Sequence, residues 1–401
     1  MILTENKQRL QGIMIFLLVI LSLNFFFAKF VSTSVLKNVC YAYMLGAIML
    51  SVPRSFKLGT GFMLPVQLIS ISVLLSVFLA QISWKQDITY FSSTIPYLLW
   101  IVFFYLLHIR FPIAKLEKIV FFYGWLYIIL FMYQYTHSSV VYFGFREEFA
   151  EDRGVIRILF PGAGVFLLAY YIALNKVMDK SKYRWLFALF ILCGITVTVL
   201  QVTKQSIAIL LLITLFHLLR TVSLGKKILV MLLAGALIYG TLHSNNPISR
   251  GIIESQRDNV QQGNQNIRIL ASEYFVNDFS PNLLSRIFGN GYPNLKSNYG
   301  KFITILEDNY GYFLTDVGVV GMYAMFGVLP IVAYLIIFYK GLRMRIPPEY
   351  QYLKYYLFNL LATCLTSDSI FSISFILTNV FVLYSLQVLY EEKQTTSLMK
   401  V

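Results

Sequence analysis

Apolar residues along this chain come in long blocks and do not alternate with polar ones. Between breaks rich in charge or turn-forming residues lie stretches at 12 to 31, 39 to 53, 62 to 82, 95 to 109, 119 to 135, 160 to 177, 185 to 203, 206 to 221, 228 to 243, 312 to 339, 352 to 366 and 370 to 390. A helix needs about 20 such residues to cross ~30 Å of hydrocarbon, and many of these blocks approach that length. The alternation of an outer-membrane barrel is missing. The pattern therefore predicts an all-α polytopic membrane protein, a single transmembrane domain over residues 1–401 with about 12 spanning helices. Lys7 and Arg9 precede the first block and no small-residue cleavage site follows it, so it reads as a retained helix.

Composition agrees: 58% of the 401 residues are apolar and only 13% charged, about half the share of a soluble globular protein. The three cysteines, Cys40, Cys193 and Cys364, each stand alone in or beside an apolar block with no CxxC spacing, and are expected to pack. The formal net charge of +14 changes the picture more, because its distribution sets orientation. With the N terminus in the cytoplasm, alternate loops collect Lys7, Arg9, Arg54, Lys57, Arg110, Lys176, Arg184, Arg220, Lys340, Arg343, Lys354 and Lys393 among others. Bases and acids then balance on the outer side, so all of the excess positive charge is expected inside, with both termini cytoplasmic. Insertion and anionic lipid account for that asymmetry, and no nucleic-acid motif is present.

Two outer segments are long, 136–160 and 244–311. In the second, Ile267, Leu270, Ala271, Tyr274 and Phe275 recur at helical spacing. Ser280 and Pro281 then look like the cap and first turn of a second short helix through Leu283, Leu284, Ile287 and Phe288, which Gly289 ends. Gly289-Asn290-Gly291-Tyr292-Pro293 reads as a tight turn.

Outer cations gather in three places: Arg146, Arg153 and Arg157, then Lys204, then Arg250, Arg257, Arg268 and Arg286. Arginine presents a planar fork of donors suited to phosphate, though each has nearby acids with which to pair. Arg146 and Arg286 are assigned to such pairing. Lys204, in a polar hairpin with few acidic neighbours, either snorkels or meets an anionic headgroup. Next, Glu307-Asp308-Asn309-Tyr310-Gly311-Tyr312 leads towards Asp316 at the head of the tenth block. If that stretch is one helix, Asp308, Tyr312 and Asp316 share a face. Asp308 has the alternative of capping a helix, and Asp316 that of packing through a hydrogen bond. Gly318 and Gly321 suit close helix approach.

These residues resemble the signature of the O-antigen ligase and Wzy-type polysaccharide polymerase superfamily. That signature has G-x-G (Gly289, Gly291), a spacer, HN-x-x-L and then an acid before G-x-x-G; here Asp308-Asn309 and Asp316 with Gly318 and Gly321 match it. Arg268 matches an arginine heading an amphipathic helix, and Thr203-Lys204-Gln205-Ser206 loosely matches a T-x-S-R-like hairpin. Two positions depart: the family histidine is Asp308, and the hairpin arginine is at best Lys204.

The resemblance implies a GT-C-like, metal-independent glycosyltransferase in a bacterial plasma membrane, without a cofactor. Its substrates would be oligosaccharides linked to undecaprenyl pyrophosphate, and its protein partners a chain-length regulator and a flippase. On that reading Asp308 and Asp316 are catalytic, Arg268, Arg157, Lys204 and Arg153 hold pyrophosphate, and Tyr292, Tyr310 and Tyr312 stack on sugars. A lipid pyrophosphate is already a good leaving group, so cations and alignment are the main requirements. Polymerisation, the transfer of a growing glycan onto a lipid-linked repeat unit at the outer leaflet, is favoured over ligase-type transfer to another acceptor because of the two departures. A secondary transporter or flippase is the rival of a different class. It is disfavoured because no repeat relates the halves and ionisable residues are scarce inside the spans.

Overall fold

A computed structural model describes residues 2–29, 34–56, 59–144, 150–152, 155–158, 161–178, 183–201, 204–221 and 266–398. The expected ninth span, 228 to 243, and the first part of the second outer segment lie outside the described residues. Six helical stretches among the described residues are long and apolar enough to cross a membrane: Asn6–Phe27, Val35–Ser55, Met63–Trp84, Ile88–Ile109, Ile113–Thr136 and Ile373–Thr395. Shorter apolar helices accompany them. The chain is a polytopic helical membrane protein.

In chain order the helices are α1 (Ile2–Ser22), α2 (Ser34–Ser55), α3 (Met63–Trp84), α4 (Val102–Ile109), α5 (Ile113–Thr136), α6 (Ala163–Lys176), α7 (Arg184–Leu200) and α8 (Lys204–Thr221). After the long segment come α9 (Ile267–Asn277), α10 (Leu283–Phe288), α11 (Asn298–Tyr310), α12 (Val319–Phe326), α13 (Val328–Arg343), α14 (Gln351–Thr363) and α15 (Ile373–Leu398). A 3-10 stretch, Ile88–Ile101, feeds α4. Among the described residues one antiparallel hairpin, β1 (Ala150–Asp152) with β2 (Val155–Arg157), interrupts the helices within segment 136–160.

The arrangement follows from where apolar surface can go in lipid. Helices α6 and α15 are buried along most of their length and form the centre, with α5, α7 and α14 packed against α6, and α4 and the 3-10 stretch against α15. Outer helices instead turn large apolar groups outwards, among them Phe78 at 54% and Leu192 at 64% exposure. That is acceptable only where hydrocarbon is the solvent. Several polar groups that face inwards are paired. The Tyr171 hydroxyl donates to Asn359 Oδ1 at 3.0 Å and the Tyr356 hydroxyl to Asn379 Oδ1 at 2.7 Å, as a site without water requires.

Several expectations are corrected. The tenth block is not one helix: α11 ends at Gly311 (φ 67°), residues 312–318 turn, α12 starts after Gly318 (φ 50°), and Gly327 separates α12 from α13. The cap of α10 is Asn282, whose side chain accepts from the Ser285 amide, with Pro281 lying before the cap. Gly289 does end α10, but 289–294 runs without a turn, threaded between α3 and the α12–α13 break. There the Asn290 and Gly291 amides donate to the carbonyls of Ala324 and Met325.

Contacts also join the basic helix ends. Lys115 reaches Gln8, Arg110 pairs with Glu391 at 3.3 Å, Lys176 pairs with Glu117, and the Asn175 side chain donates to the carbonyl of Glu349. Lys354 donates to the carbonyl of Leu342 and Lys340 to that of Gly61. One end of the bundle therefore gathers the cationic loops, and the α9–α11 segment lies at the other.

Candidate functional site

The end opposite the cationic loops is organised around α3. Its last residue, Trp84, stacks on Tyr299 with centroids 4.8 Å apart and donates from its indole to Asn290 Oδ1 at 2.8 Å. Asn290 is fully buried, and its amide donates to Ser280 Oγ and the Ala324 carbonyl, each at 2.9 Å. Gln86, just past α3, donates to the Tyr292 carbonyl and accepts from the Asn294 amide and the Ser297 hydroxyl. These bonds fix 289–297 on the bundle. The G-x-G segment is thus a packing device: a Cβ at Gly289 would lie 2.4 Å from the Met325 carbonyl oxygen.

The same clamp presents Tyr292. Its ring lies 5.0 Å from that of Tyr97, and the Tyr97 hydroxyl donates to it. Burial, with a contribution from Glu307, pushes the Tyr292 phenol up. Glu307 is half-buried in the last turn of α11, and burial together with the carboxylates of Asp308 and Asp316 raises its carboxyl above the usual range.

Asp308, the next residue, points outwards and is exposed. Because 311–318 is not helical, Asp308, Tyr312 and Asp316 do not form a single helical face. Asp316 instead sits in the turn before α12, where its carboxylate lies 4.0 Å from the Arg268 guanidinium, both side chains about half exposed. Arg268 is in the first turn of α9, behind the cap Asn266, as the sequence predicts. Of the expected apolar face, Ala271 and Phe275 are buried while Ile267 and Leu270 stay exposed. Tyr312 packs between Tyr274 and Tyr310 at 5.7 Å from each, and Tyr310 is exposed at 58%. Arg286 donates to the Asn277 carbonyl at the end of α9, a structural bond.

One carboxylate escaped the sequence reading. Asp368 lies in the connection between α14 and α15, within electrostatic range of Asp316 and of the Tyr97 hydroxyl. Burial pushes its carboxyl from 3.8 to about 6, against the lowering effect of a hydrogen bond from Ser372. The connection is held from two sides. The Val319 amide donates to the Cys364 carbonyl at 2.7 Å, bringing the Asp316 turn onto it. Gln205, in the first turn of α8, donates to the Ala362 carbonyl and accepts from the Thr366 hydroxyl. The start of α8, where Lys204 sits, is therefore beside the Asp368 turn.

Arg153 lies outside the described residues. For Arg157 and Lys204 the backbone alone is described: Arg157 pairs with Ala150 in the hairpin, and Lys204 begins α8. Among the described residues no group of three or more His, Cys, Asp or Glu is placed to hold a metal ion. The convergent set is thus Arg268, Asp316, Glu307, Asp368, Tyr97 and Tyr292. It combines an exposed guanidinium with a carboxyl that burial raises to about 6 and a phenol pair. The chain matches no family model and no curated protein sequence.

Proposed function

We propose that the chain is a polysaccharide polymerase of the GT-C kind, with about twelve membrane spans. It would transfer a growing glycan from undecaprenyl pyrophosphate to a lipid-linked repeat unit at the outer leaflet. The observation that carries this reading is the meeting of Arg268, Asp316 and Asp368 at the end of an apolar bundle opposite its cationic loops. A lipid-linked glycan approaches such an end from the bilayer, with its tail in hydrocarbon and its pyrophosphate at the interface.

The reaction asks for little chemistry. The acceptor hydroxyl oxygen forms a bond to the anomeric carbon, the bond from that carbon to the pyrophosphate oxygen breaks, and the hydroxyl proton goes to a base. Asp368, raised to about 6, is mostly ionised at neutral pH yet a better proton acceptor than an ordinary carboxylate. Arg268 then receives the charge that develops on the pyrophosphate, with Lys204 at the neighbouring α8 start as a second cation. Asp316 orients the Arg268 fork, and the exposed Tyr310, braced by Tyr312, offers a ring face to sugars. Asp308, exposed on the far side of Glu307, has no part in this scheme.

The test is incubation of purified protein with a lipid-linked repeat unit. A ladder of glycans on a gel supports the reading. Intact substrate, moved across vesicles and never elongated, would replace it with transport.

A further inference from the structure

A second site of opposite character lies at the cationic end of the bundle. Helix α13 finishes there with Lys340 and Arg343, and the last turns of α15 bring Tyr390, Lys393 and Gln394 alongside. Between them opens a cavity of about 380 Å³ whose lining includes all three cations and no carboxylate. Two acids of α15 adjoin that lining in sequence and both face elsewhere: Glu391 meets Arg110 at 3.3 Å and the Gln387 amide at 2.9 Å, and Glu392 lies within electrostatic range of Tyr350 and Tyr384.

Two of the three cations are held in place without using up their donors. Lys340 Nζ donates one hydrogen bond, 3.0 Å to the Gly61 carbonyl. The Arg343 guanidinium lies over the Tyr339 ring at 5.5 Å and donates a single described bond, 2.7 Å to the Tyr339 hydroxyl, which leaves most of its fork open. Three cations with free donors around one concavity form a receptor for a phosphate-type anion.

The surface leading away from the cavity distinguishes which anion. Val328, Val332, Leu335 and Tyr339 recur at helical spacing along α13 and stay outward, at 40%, 41%, 65% and 63% exposure. This unpartnered apolar stripe runs from the cationic cavity along the length of α13. A free phosphate has no use for it, whereas a phospholipid with its phosphate in the cavity lays its acyl chains along it. We propose that the cavity of Lys340, Arg343 and Lys393 binds the headgroup of an anionic phospholipid in the leaflet at the cationic end, with the acyl chains on the α13 stripe. This site does not depend on the polymerase reading, because it is remote from Asp368 and needs only membrane insertion.

The experiment is native mass spectrometry of the full chain released from bilayers of equal parts phosphatidylcholine and phosphatidylglycerol. Wild-type protein should retain one phosphatidylglycerol in preference to phosphatidylcholine. Arg343→Gln and Lys393→Gln should each weaken that retention about fivefold, the effect of one cation near a charged surface, and the pair multiplicatively. A control variant, Lys115→Gln with Arg184→Gln, removes as much charge elsewhere at the same end and should retain the lipid. Should the double variant fail to fold, competition on wild-type protein decides alone. Spin-labelled phosphatidylglycerol must be immobilised more than spin-labelled phosphatidylcholine, and millimolar inorganic phosphate must not release it. Equal immobilisation of the two lipids, release by free phosphate, or equal loss of retention in the control variant would each overturn the proposal.

Discussion

Asp368 and Arg268 carry the clearest expectations at the scale of single residues. Burial raises the Asp368 carboxyl to about 6, so the base form is lost as pH falls through that value and polymer formation should decline on the acid side with a midpoint near 6. In Asp368→Asn, elongation should fall by about 100-fold or more, the usual share of a general base, and the acid limb should vanish. Stability moves the other way. A raised carboxyl favours the protonated fold, whose advantage is full below the unfolded value and lost as pH rises through about 6, so the neutral amide should hold or raise the unfolding temperature at neutral pH. A variant that unfolds earlier and keeps its activity would make Asp368 a structural group. Arg268 is half exposed and its pair with Asp316 is long, so Arg268→Ala should barely change stability, while elongation falls about 100-fold if the guanidinium receives pyrophosphate charge. Arg268→Lys should lose nearly as much, because it keeps the charge without the fork. Asp308→Asn should stay within a few-fold of the parent, since that side chain faces outwards; a large loss there would return the catalytic role to it.

At the scale of elements, the site depends on helices that stop. Gly289 and Gly327, at φ 88° and 78°, let the end of α10 meet the break between α12 and α13; a Cβ on Gly327 would lie 2.2 Å from the Ile287 carbonyl oxygen. Asn290 fastens the crossing with bonds to Trp84, Ser280 and Ala324. Asn290→Ala leaves the Trp84 indole and the Ser280 hydroxyl without this partner, at about 1–3 kcal/mol for each buried group that stays unpaired, while the Ala324 carbonyl keeps the backbone amide of residue 290. Its unfolding temperature in detergent should drop clearly, and an unchanged value would mean that the clamp is dispensable. Helices α9 and α10 were legible in the sequence because apolar residues recur at helical spacing in both and Gly289 stops the second; the cap of α10 reads two residues early there, at Ser280 instead of Asn282. The interruption at 311–318 was not, because Tyr312, Phe313, Leu314 and Val317 are apolar enough to continue a span. What breaks the helix there is tertiary, the packing of Gly318 against the Cys364 carbonyl. Asp368 was missed for a related reason. It stands between two apolar blocks and reads as ordinary loop polarity, although a lone acid in so short an outer connection was the available signal. The β1–β2 hairpin left no alternation long enough to notice.

For the whole molecule, two separate observations group the same loops at one end. Counting charges along the sequence sends the excess bases to alternate loops, and the fold independently joins those loops: Lys115 to Gln8, Arg110 to Glu391, Lys176 to Glu117 and Lys354 to Leu342. A chain whose spans had been miscounted by one among α1–α8 would have put some of these partners at opposite ends. Since translocation disfavours Lys and Arg, the joined end should be cytoplasmic and the end bearing Arg268, Asp316 and Asp368 should face out. In a background with Cys40, Cys193 and Cys364 replaced by alanine, the exposed positions Lys296 and Arg184 report on the two ends. A cysteine at position 296 should react with an impermeant maleimide added to intact cells, and one at 184 only after the membrane is opened. The reverse pattern would put the candidate site in the cytoplasm, where a carrier-linked glycan destined for outward assembly would meet the wrong face. That result would defeat the polymerase reading while leaving the fold as described. Labelling of both positions from outside would show that positions 184 and 296 do not lie on opposite sides of the membrane, and would require a different account of the buried centre formed by α6 and α15.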